Sequence, residues 1–263
     1  MWPDSQTVAS APKADPVIKV TNLNKAFGGL RAVNNLSFEA ARNRITSIIG
    51  PNGAGKSTAF NLIAGMLRPD SGRVEMGGRD ITGQPPYVLT RFGIARSFQI
   101  TNLFLGLSVF ENIRLACQSL EDRRRYLVRL DRLSTPQTCA ADIIEEFKLQ
   151  ENADELVGNL SHGDQRRIEI ALCMALRPKL LMLDEPTQGM SPAETADVDA
   201  LIKSLAGRVT VLLIEHDIEL VLSLSDHVIV MHQGEKLFEG APEQVRASSL
   251  VREAYLGVDH AAA

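Results

Sequence analysis

The segment GPNGAGKST, residues 50–58, has the residue types and spacing of a phosphate-binding loop. Its glycines let the backbone wrap round a phosphate chain, a lysine can reach the terminal phosphates, and a serine hydroxyl can ligate Mg²⁺. An apolar stretch (44–50) precedes the segment and a helical stretch from about Lys56 to Gly65 follows it. The pattern therefore predicts a nucleotide-binding P-loop. The expected nucleotide contacts are Gly50, Pro51, Asn52, Gly53, Ala54, Gly55, Lys56, Ser57 and Thr58.

Two later apolar stretches end in groups suited to the same chemistry. LLMLDEP (180–186) ends in Asp184, which could hold Mg²⁺, and Glu185, which could polarise an attacking water. LLIEHD (212–217) ends with His216. Parallel α/β sheets bind ligands beyond the carboxyl ends of their strands, so we expect these side chains at one edge. A solvated acidic turn and a structural histidine are the alternatives, and the upstream P-loop favours the functional interpretation.

The segment NLSHGDQRRIEIALCMAL, residues 159–176, predicts the start of a helix. Ser161 is the expected N-cap, Asp164 follows three residues later as in a capping box, and apolar residues continue at helical spacing. His162 and Gly163 have a lower helix propensity than other residues that could begin this helix. The residues alone leave open whether this N-terminus is only capped or also holds an anion.

The elements that must position these groups indicate an α/β fold. VIKVTNL (17–23) and NNLSFEA (34–40) predict strands, and SGRVEMGGRDITG (71–83) predicts a hairpin. Residues 85–160 have mostly helical patterns, with a short strand candidate ending at Gln99. The segment 227–240 predicts an antiparallel edge hairpin that turns at Gln233-Gly234. We therefore expect a single unit with a parallel core sheet, an antiparallel sheet near its start and a helical insertion.

Composition is that of a soluble globular protein: 263 residues, 44% hydrophobic and 23% charged, with a net charge of −4. This charge gives no reason to expect nucleic acid as a partner. No apolar run reaches 18 residues, and residues 1–16 lack the features of a signal peptide and predict a disordered tail. Cys117, Cys139 and Cys173 predict reduced core thiols, with neither a disulfide nor a zinc pattern. His227 and His232 have no metal-ligand spacing and are interpreted as structural.

Together these motifs resemble the ATPase subunits of ABC transporters, over a range from about Val17 to Gly257. Residues 50–57 match the Walker A loop, LSHGDQ the signature, Asp184 and Glu185 the Walker B pair, and His216 the switch histidine. Phe27 in NKAFGG matches the aromatic residue that stacks on adenine, and Gln99 matches the Q-loop glutamine near Mg²⁺.

The resemblance implies a P-loop NTPase with a RecA-like parallel sheet. It implies an ABC ATPase domain at 17–257, with its core at 17–91 and 161–257, a helical subdomain at about 92–160, and tails at 1–16 and 258–263. Two such subunits, identical or related, would sandwich ATP and Mg²⁺ head to tail. Ser161 and the N–H of Gly163 would then donate to the γ-phosphate held by the other subunit.

The family further implies a separate transmembrane permease that docks on the helical insertion, and indirectly a periplasmic binding protein. The ATPase would lie in the cytoplasm, peripheral to the inner face of the cell membrane. The basic run at 121–133 is then either a solvated helix face or a contact with anionic lipid or a permease loop.

Departures from the commonest ABC ATPase motifs narrow the choice of subfamily. His162 and Asp164 replace Gly and Gln of the common signature, and TQGMSPAE replaces a segment that usually carries a Leu-Asp pair, so a contact by Ser191 is in doubt. With GIARSFQITNLFLGLSVFENI and EGAPEQVRASSLVREAYLG, these features resemble the ATPases of branched-chain (hydrophobic) amino-acid importers.

Other P-loop proteins fit the sequence less well. A GTPase needs an Asn-Lys-x-Asp motif that is missing here, a small-molecule kinase needs no signature, and a DNA-repair ABC ATPase carries a long coiled coil or zinc module. A urea or amide importer and a lipid or lipopolysaccharide exporter remain as alternatives.

Overall fold

The computed structural model describes residues 16–97, 103–119 and 134–259. The strands of this part of the chain are β1 (Pro16–Phe27), β2 (Leu30–Ala41), β3 (Ile45–Ile49), β4 (Ser71–Met76), β5 (Arg79–Asp80), β6 (Ile94–Arg96), β7 (Leu180–Asp184), β8 (Thr210–Ile214), β9 (His227–His232) and β10 (Glu235–Gly240). Its α-helices are α1 (Lys56–Ile63), α2 (Pro86–Phe92), α3 (Val109–Gln118), α4 (Ser134–Glu146), α5 (His162–Ala175), α6 (Pro192–Leu205), α7 (Ile218–Leu224), α8 (Pro242–Ala247) and α9 (Ser249–Asp259).

The core sheet has the order β10-β9-β3-β8-β7-β6 and is parallel except for β10. Every residue of β3, β7 and β8 is buried, as expected of parallel strands that are covered on both faces. Ile214 lies opposite both Ile48 and Asp184, so the three strands end at one edge. The predicted hairpin of β9 and β10 is confirmed, and Gln233 and Gly234 both have positive φ in its turn.

A second, antiparallel sheet has the order β2-β1-β4-β5. The predicted hairpin at Gly77-Gly78 is confirmed, and both glycines adopt the left-handed conformation that such a turn requires. Helix α1 packs between the two sheets, where Phe60 is fully buried among residues of β1, β2 and the core strands. The start of α1 is therefore held rigidly beside the ends of β3 and β8.

The segment before the helical region divides into α2 and the short strand β6. Strand β6 pairs with β7 and extends the core sheet, so the chain leaves this sheet only after Arg96. Helices α3, α4 and α5 then share one apolar core with one face of the sheet. Gln99, the basic run at 121–133 and residues 1–15 of the tail predicted at 1–16 lie outside the described residues. Pro16, the last residue of that predicted tail, begins strand β1. Within the described part, no helix is long and apolar enough to cross a membrane.

The prediction of three reduced thiols is wrong for two of them. Cys117 of α3 and Cys139 of α4 form a disulfide with a Cα–Cα distance of 6.2 Å. The packing of α3 against α4 brings the two sulfurs together, and their spacing of 22 residues gave no indication of it. Cys173 is a free buried thiol, as predicted, and burial raises its pKa to about 12.

Candidate active site

The loop between β3 and α1 forms a backbone concavity that depends on glycine. Gly50 and Gly55 have φ values of 154° and 94°. A Cβ atom on Gly50 would lie 2.2 Å from the carbonyl oxygen of Met231, and one on Gly55 would lie 2.2 Å from that of Ala32. No side chain fits at either position, so the loop can follow its curved path only with glycine there. Such a concavity of backbone N–H groups fits a phosphate chain.

Lys56 places its ammonium group inside this concavity. The residue is 8% exposed, and its Nζ donates to the carbonyl oxygens of Gly50 at 2.7 Å and Pro51 at 3.1 Å. Burial lowers the pKa of Lys56, while the carboxylates of Asp184 and Glu185 act in the opposite direction. The residues predicted from two distant sequence motifs are therefore close enough to interact electrostatically.

Asp184 ends β7 as a buried carboxylate with a cationic partner that the sequence analysis missed. Its Oδ2 accepts a hydrogen bond from Arg96 at 2.9 Å. Arg96 also donates to Asn61 at 2.6 Å, and its guanidinium lies 5.0 Å from the ring centroid of Phe60. A buried carboxylate needs a cation or hydrogen-bond donors to offset its desolvation, and β6 supplies a cation here because it is the neighbour of β7.

Ser57, the residue predicted to ligate Mg²⁺, is exposed in the first turn of α1.

Glu185 follows Asp184 with a left-handed backbone, φ 45°. Positive φ is uncommon in residues other than glycine and occurs often at functional sites. The turn is held by two bonds: the N–H of Glu185 donates to the carbonyl of Ile214 at 2.9 Å, and its carbonyl accepts from Arg166 at 3.4 Å. Arg166 belongs to α5, where it also pairs with the buried carboxylate of Glu169 at 2.6 Å. Helix α5 is thereby linked to the turn that carries Glu185.

His216 lies directly beyond β8 and is exposed, next to a buried carboxylate that the sequence analysis did not single out. Glu215 is fully buried and accepts hydrogen bonds from the N–H of Thr187 at 3.1 Å and its hydroxyl at 2.7 Å. The Nδ1 atom of His216 lies 3.6 Å from Glu215. Burial raises the pKa of Glu215, and its hydrogen bonds oppose this effect. Glu215 therefore joins the segment after β7 to the segment after β8.

Asp199 of α6 carries a further acidic group of this region. One of its carboxylate oxygens is buried without a hydrogen-bond partner among the described residues, and burial raises its pKa to about 6. Lys203 opposes this effect, while Glu215 and Asp217 add to it.

We predict that Asp199→Asn increases stability at pH 7 but not near pH 4. The native carboxyl keeps its proton to about pH 6, whereas its ordinary pKa is 3.8, so native protein binds more protons in this interval and loses stability as pH rises through it. Urea unfolding of both proteins from about pH 4 to pH 8 measures the difference. A difference that does not change with pH would contradict the assignment.

The helix α5 begins where the sequence predicted. Ser161 is its N-cap, and the Ser161 hydroxyl accepts from the N–H of Asp164 at 3.1 Å. The Ser161 hydroxyl donates to the Asp164 carboxylate at 3.0 Å, and the N–H of Gly163 donates to Glu194 at 3.2 Å. In the described residues, neither Ser161 nor Gly163 forms a hydrogen bond with residues 50–58 of the same chain.

Phe27 ends β1 with a ring that is 47% exposed. The ammonium of Lys25 lies 5.5 Å from its centroid. Phe27 pairs across the hairpin with Leu30, and Ala32, two residues further along β2, contacts the P-loop at Gly55. The ring is therefore on the hairpin end that adjoins the loop.

Comparison with known proteins agrees with this arrangement. The sequence model of the ABC transporter family matches residues 33–188. A second family model, described as branched-chain amino acid ATP-binding cassette transporter, matches residues 235–261. The chain therefore belongs to the ATP-binding subunits of ABC transporters. The predicted family, P-loop α/β fold class and ATPase character are confirmed.

Relatives resemble it over nearly the full length. The high-affinity branched-chain amino acid transport ATP-binding protein BraF of Pseudomonas aeruginosa is 43% identical, covering 92% of this chain and 98% of BraF. LivG of Escherichia coli, which has the same description, is 41% identical, covering 93% of this chain and 99% of LivG. The ADP conformation of MJ1267, an ATP-binding cassette of an ABC transporter, superposes with a TM-score of 0.81 at 32% identity, covering 92% of this chain and 99% of that one.

Proposed function

We propose that this chain hydrolyses ATP to drive a membrane importer of branched-chain or other hydrophobic amino acids. The observation that carries the proposal is that Lys56 lies close to the carboxylates of Asp184 and Glu185. They lie at the edge of the core sheet where β8, which His216 follows, also ends. The transport function of BraF and LivG, expressed in their names, supports the class of substrate. The chain itself is the ATP-binding subunit and associates with a membrane permease, from the cytoplasmic side.

The nucleotide would lie along the P-loop. The exposed ring of Phe27 can stack on the base, while the loop N–H groups and Lys56 hold the phosphates. The hydroxyl of Ser57 and the carboxylate of Asp184 are hard oxygen donors of the kind that Mg²⁺ prefers. When bound, Mg²⁺ would neutralise charge on the phosphates. We propose Gln99 as a further contact to this ion.

Hydrolysis needs a positioned water and little covalent chemistry from the protein. Glu185 is half-buried at the strand end and can accept the hydrogen of the attacking water. His216 can contact the γ-phosphate, because its ring is exposed while Glu215 holds the adjoining backbone.

A second ATPase subunit would complete the site. Ser161 and Gly163 of one subunit would donate to the γ-phosphate on the other, where the positive end of the α5 dipole favours an anion. The partner can be a second copy of this chain or a related chain. ATP binding would close this pair, and hydrolysis would reopen it; the periplasmic binding protein would take part only through the permease.

An exposed apolar patch supports docking to the permease on the helical region. It consists of Phe104, Leu105, Leu107 and Leu156, which are between 37% and 59% exposed. Buried Asn112 holds the loop beneath it through hydrogen bonds to Phe104 at 2.9 Å and 3.1 Å. A rigid loop that presents apolar side chains to solvent is typical of a protein contact surface.

We predict that Leu105→Glu prevents assembly with the permease while ATP binding by the subunit is retained. The change places a charge in the apolar patch, none of whose residues is a proposed contact of ATP or Mg²⁺. Leu250→Glu is the matched control, since Leu250 of α9 is 54% exposed against 50% for Leu105. Each variant is co-purified from native membranes, and the bound permease and binding protein are identified. Equal recovery of permease with both variants would contradict this surface, and partners of another transport class would contradict the proposed substrate.

A further inference from the structure

Both donors that the proposed function assigns to a partner's γ-phosphate are already bonded to carboxylates of their own chain. The hydroxyl of Ser161 donates to Asp164 at 3.0 Å. The N–H of Gly163 donates to Oε1 of Glu194 at 3.2 Å. Asp164 belongs to the same helix turn, whereas Glu194 reaches across from the first turn of α6. Two anions thus occupy the positive end of α5.

Glu194 is held in place for this contact. Its other carboxylate oxygen, Oε2, accepts from the N–H and the hydroxyl of Ser191, at 2.9 Å and 2.7 Å, in the capping box of α6. A Cβ atom on Gly163 would lie only 2.9 Å from Cγ of Glu194. The glycine therefore lets this carboxylate reach the helix backbone, as it would let a phosphate do so. Hydrogen bonds from Ser191 and Gly163 lower the pKa of Glu194, so it is an anion at neutral pH.

Asp164 adds the second negative charge, at the position where the common signature has an uncharged Gln. Its other carboxylate oxygen lies 3.5 Å from the guanidinium of Arg167. Arg167 can therefore retain Asp164 when the Ser161 hydroxyl turns toward another acceptor. A phosphate cannot use the same donors while both carboxylates remain bonded to them, and like charges at this distance repel it.

We propose that Asp164 and Glu194 occupy the phosphate donors of the signature helix until ATP on the partner subunit displaces them. The two carboxylates would thereby set the ATP concentration at which the dimer closes. This inference rests on the proposed function, because it assumes that the dimer is closed by ATP.

The test uses Glu185→Gln as the parent, so that hydrolysis does not remove the complex. Glu194→Gln and Asp164→Asn are each added, since both keep an acceptor oxygen and glutamine also serves in a capping box. Asp197→Asn is the control, because it removes one charge from an exposed position on the same helix as Glu194. Light scattering measures the ATP concentration at which dimerisation is half complete. If the natural partner subunit is a different chain, it is added to the sample. We expect a decrease of about two- to fivefold for each test variant, the factor that a charge at a helix N-terminus produces. An unchanged or increased concentration would overturn the inference.

A second measurement needs neither ATP nor a dimer. His162-Gly163 is the only His-Gly pair in the sequence, so ¹³C-carbonyl histidine with ¹⁵N-glycine labels a single amide. Inorganic phosphate should shift this resonance in Glu194→Gln and leave it in place in Asp197→Asn. Equal responses in the two variants would overturn the inference. If the parent does not associate with ATP at all, the proposed function fails, and this measurement still decides whether Glu194 competes with phosphate.

Discussion

Replacement of Glu185 by glutamine is expected to leave ATP binding intact and to lower the rate of hydrolysis by about a hundredfold to ten-thousandfold. This range is the usual contribution of a positioned general base. Glutamine has nearly the same size and keeps an oxygen toward the water, but it cannot take up a proton. The backbone bonds of the turn, to Ile214 and Arg166, do not depend on the side chain. The variant should therefore fold normally and accumulate as an ATP-bound dimer.

Three measurements check this expectation: steady-state ATPase activity, the dissociation constant for ATP, and molecular mass with and without ATP. Glu219→Gln is the matched control, since it makes the same substitution on α7 at a side chain that is 79% exposed. If Glu185→Gln hydrolysed ATP at the rate of the unsubstituted protein, Glu185 would have no part in the reaction. A loss of ATP binding would instead indicate a role in holding the nucleotide.

Lys56→Ala is expected to weaken ATP binding by at least about 3 kcal/mol, or roughly a hundredfold. Each hydrogen bond to a charged group contributes about 1.5–3 kcal/mol, and an ammonium in the loop can bond two phosphate oxygens. In this structure the ammonium is bonded to the carbonyl oxygens of Gly50 and Pro51, so it needs to move only locally to meet a phosphate. The effect should fall on binding, because the lysine contacts the phosphates before any reaction occurs.

Thermal unfolding with increasing ATP provides the measurement, since a ligand that binds native protein raises its stability by RT ln(1 + [L]/Kd), which is larger for a tighter ligand. Lys56→Ala should show little increase in Tm at ATP concentrations that stabilise the unsubstituted protein. Lys148→Ala, which removes an exposed lysine, should respond as the parent does. Lys56→Arg should not restore binding, because the position is 8% exposed and the guanidinium is larger. Full ATP stabilisation of Lys56→Ala would exclude the lysine from the site.

Contacts between elements explain how these side chains keep their positions. Arg96 fixes Asp184, Glu215 fixes the segment at Thr187, and Arg166 connects helix α5 to the turn at Glu185. Each link joins the end of a core strand to a neighbouring element. Hydrogen bonds within one subunit therefore connect the turn at Glu185 to helix α5.

Local patterns in the sequence were sufficient to predict most of the strands and to propose the chemistry of the site. The apolar runs of β3, β7 and β8 predicted buried parallel strands, and the glycines at 77–78 and the Gln233-Gly234 pair predicted turns. These features depend on residues within one turn or one strand, where side-chain size, backbone freedom and hydrophobic periodicity act directly. The motif residues were identifiable for the same reason, since a P-loop needs its glycines and lysine at fixed local spacing.

Only the tertiary structure decided which distant groups meet. Arg96 and Asp184 are 88 residues apart, Gly163 and Glu194 are 31 apart, and Cys117 and Cys139 are 22 apart. Each contact exists because strands pair in a particular order or helices pack in a particular register, and neither is expressed in the local pattern. The sequence by itself thus determined an ABC ATPase and suggested its reacting groups. The partners of these groups were determined by how β6 packs on β7, α3 on α4 and α6 beside α5. Buried charges and donors need partners close in space, and only the packing brings distant segments together.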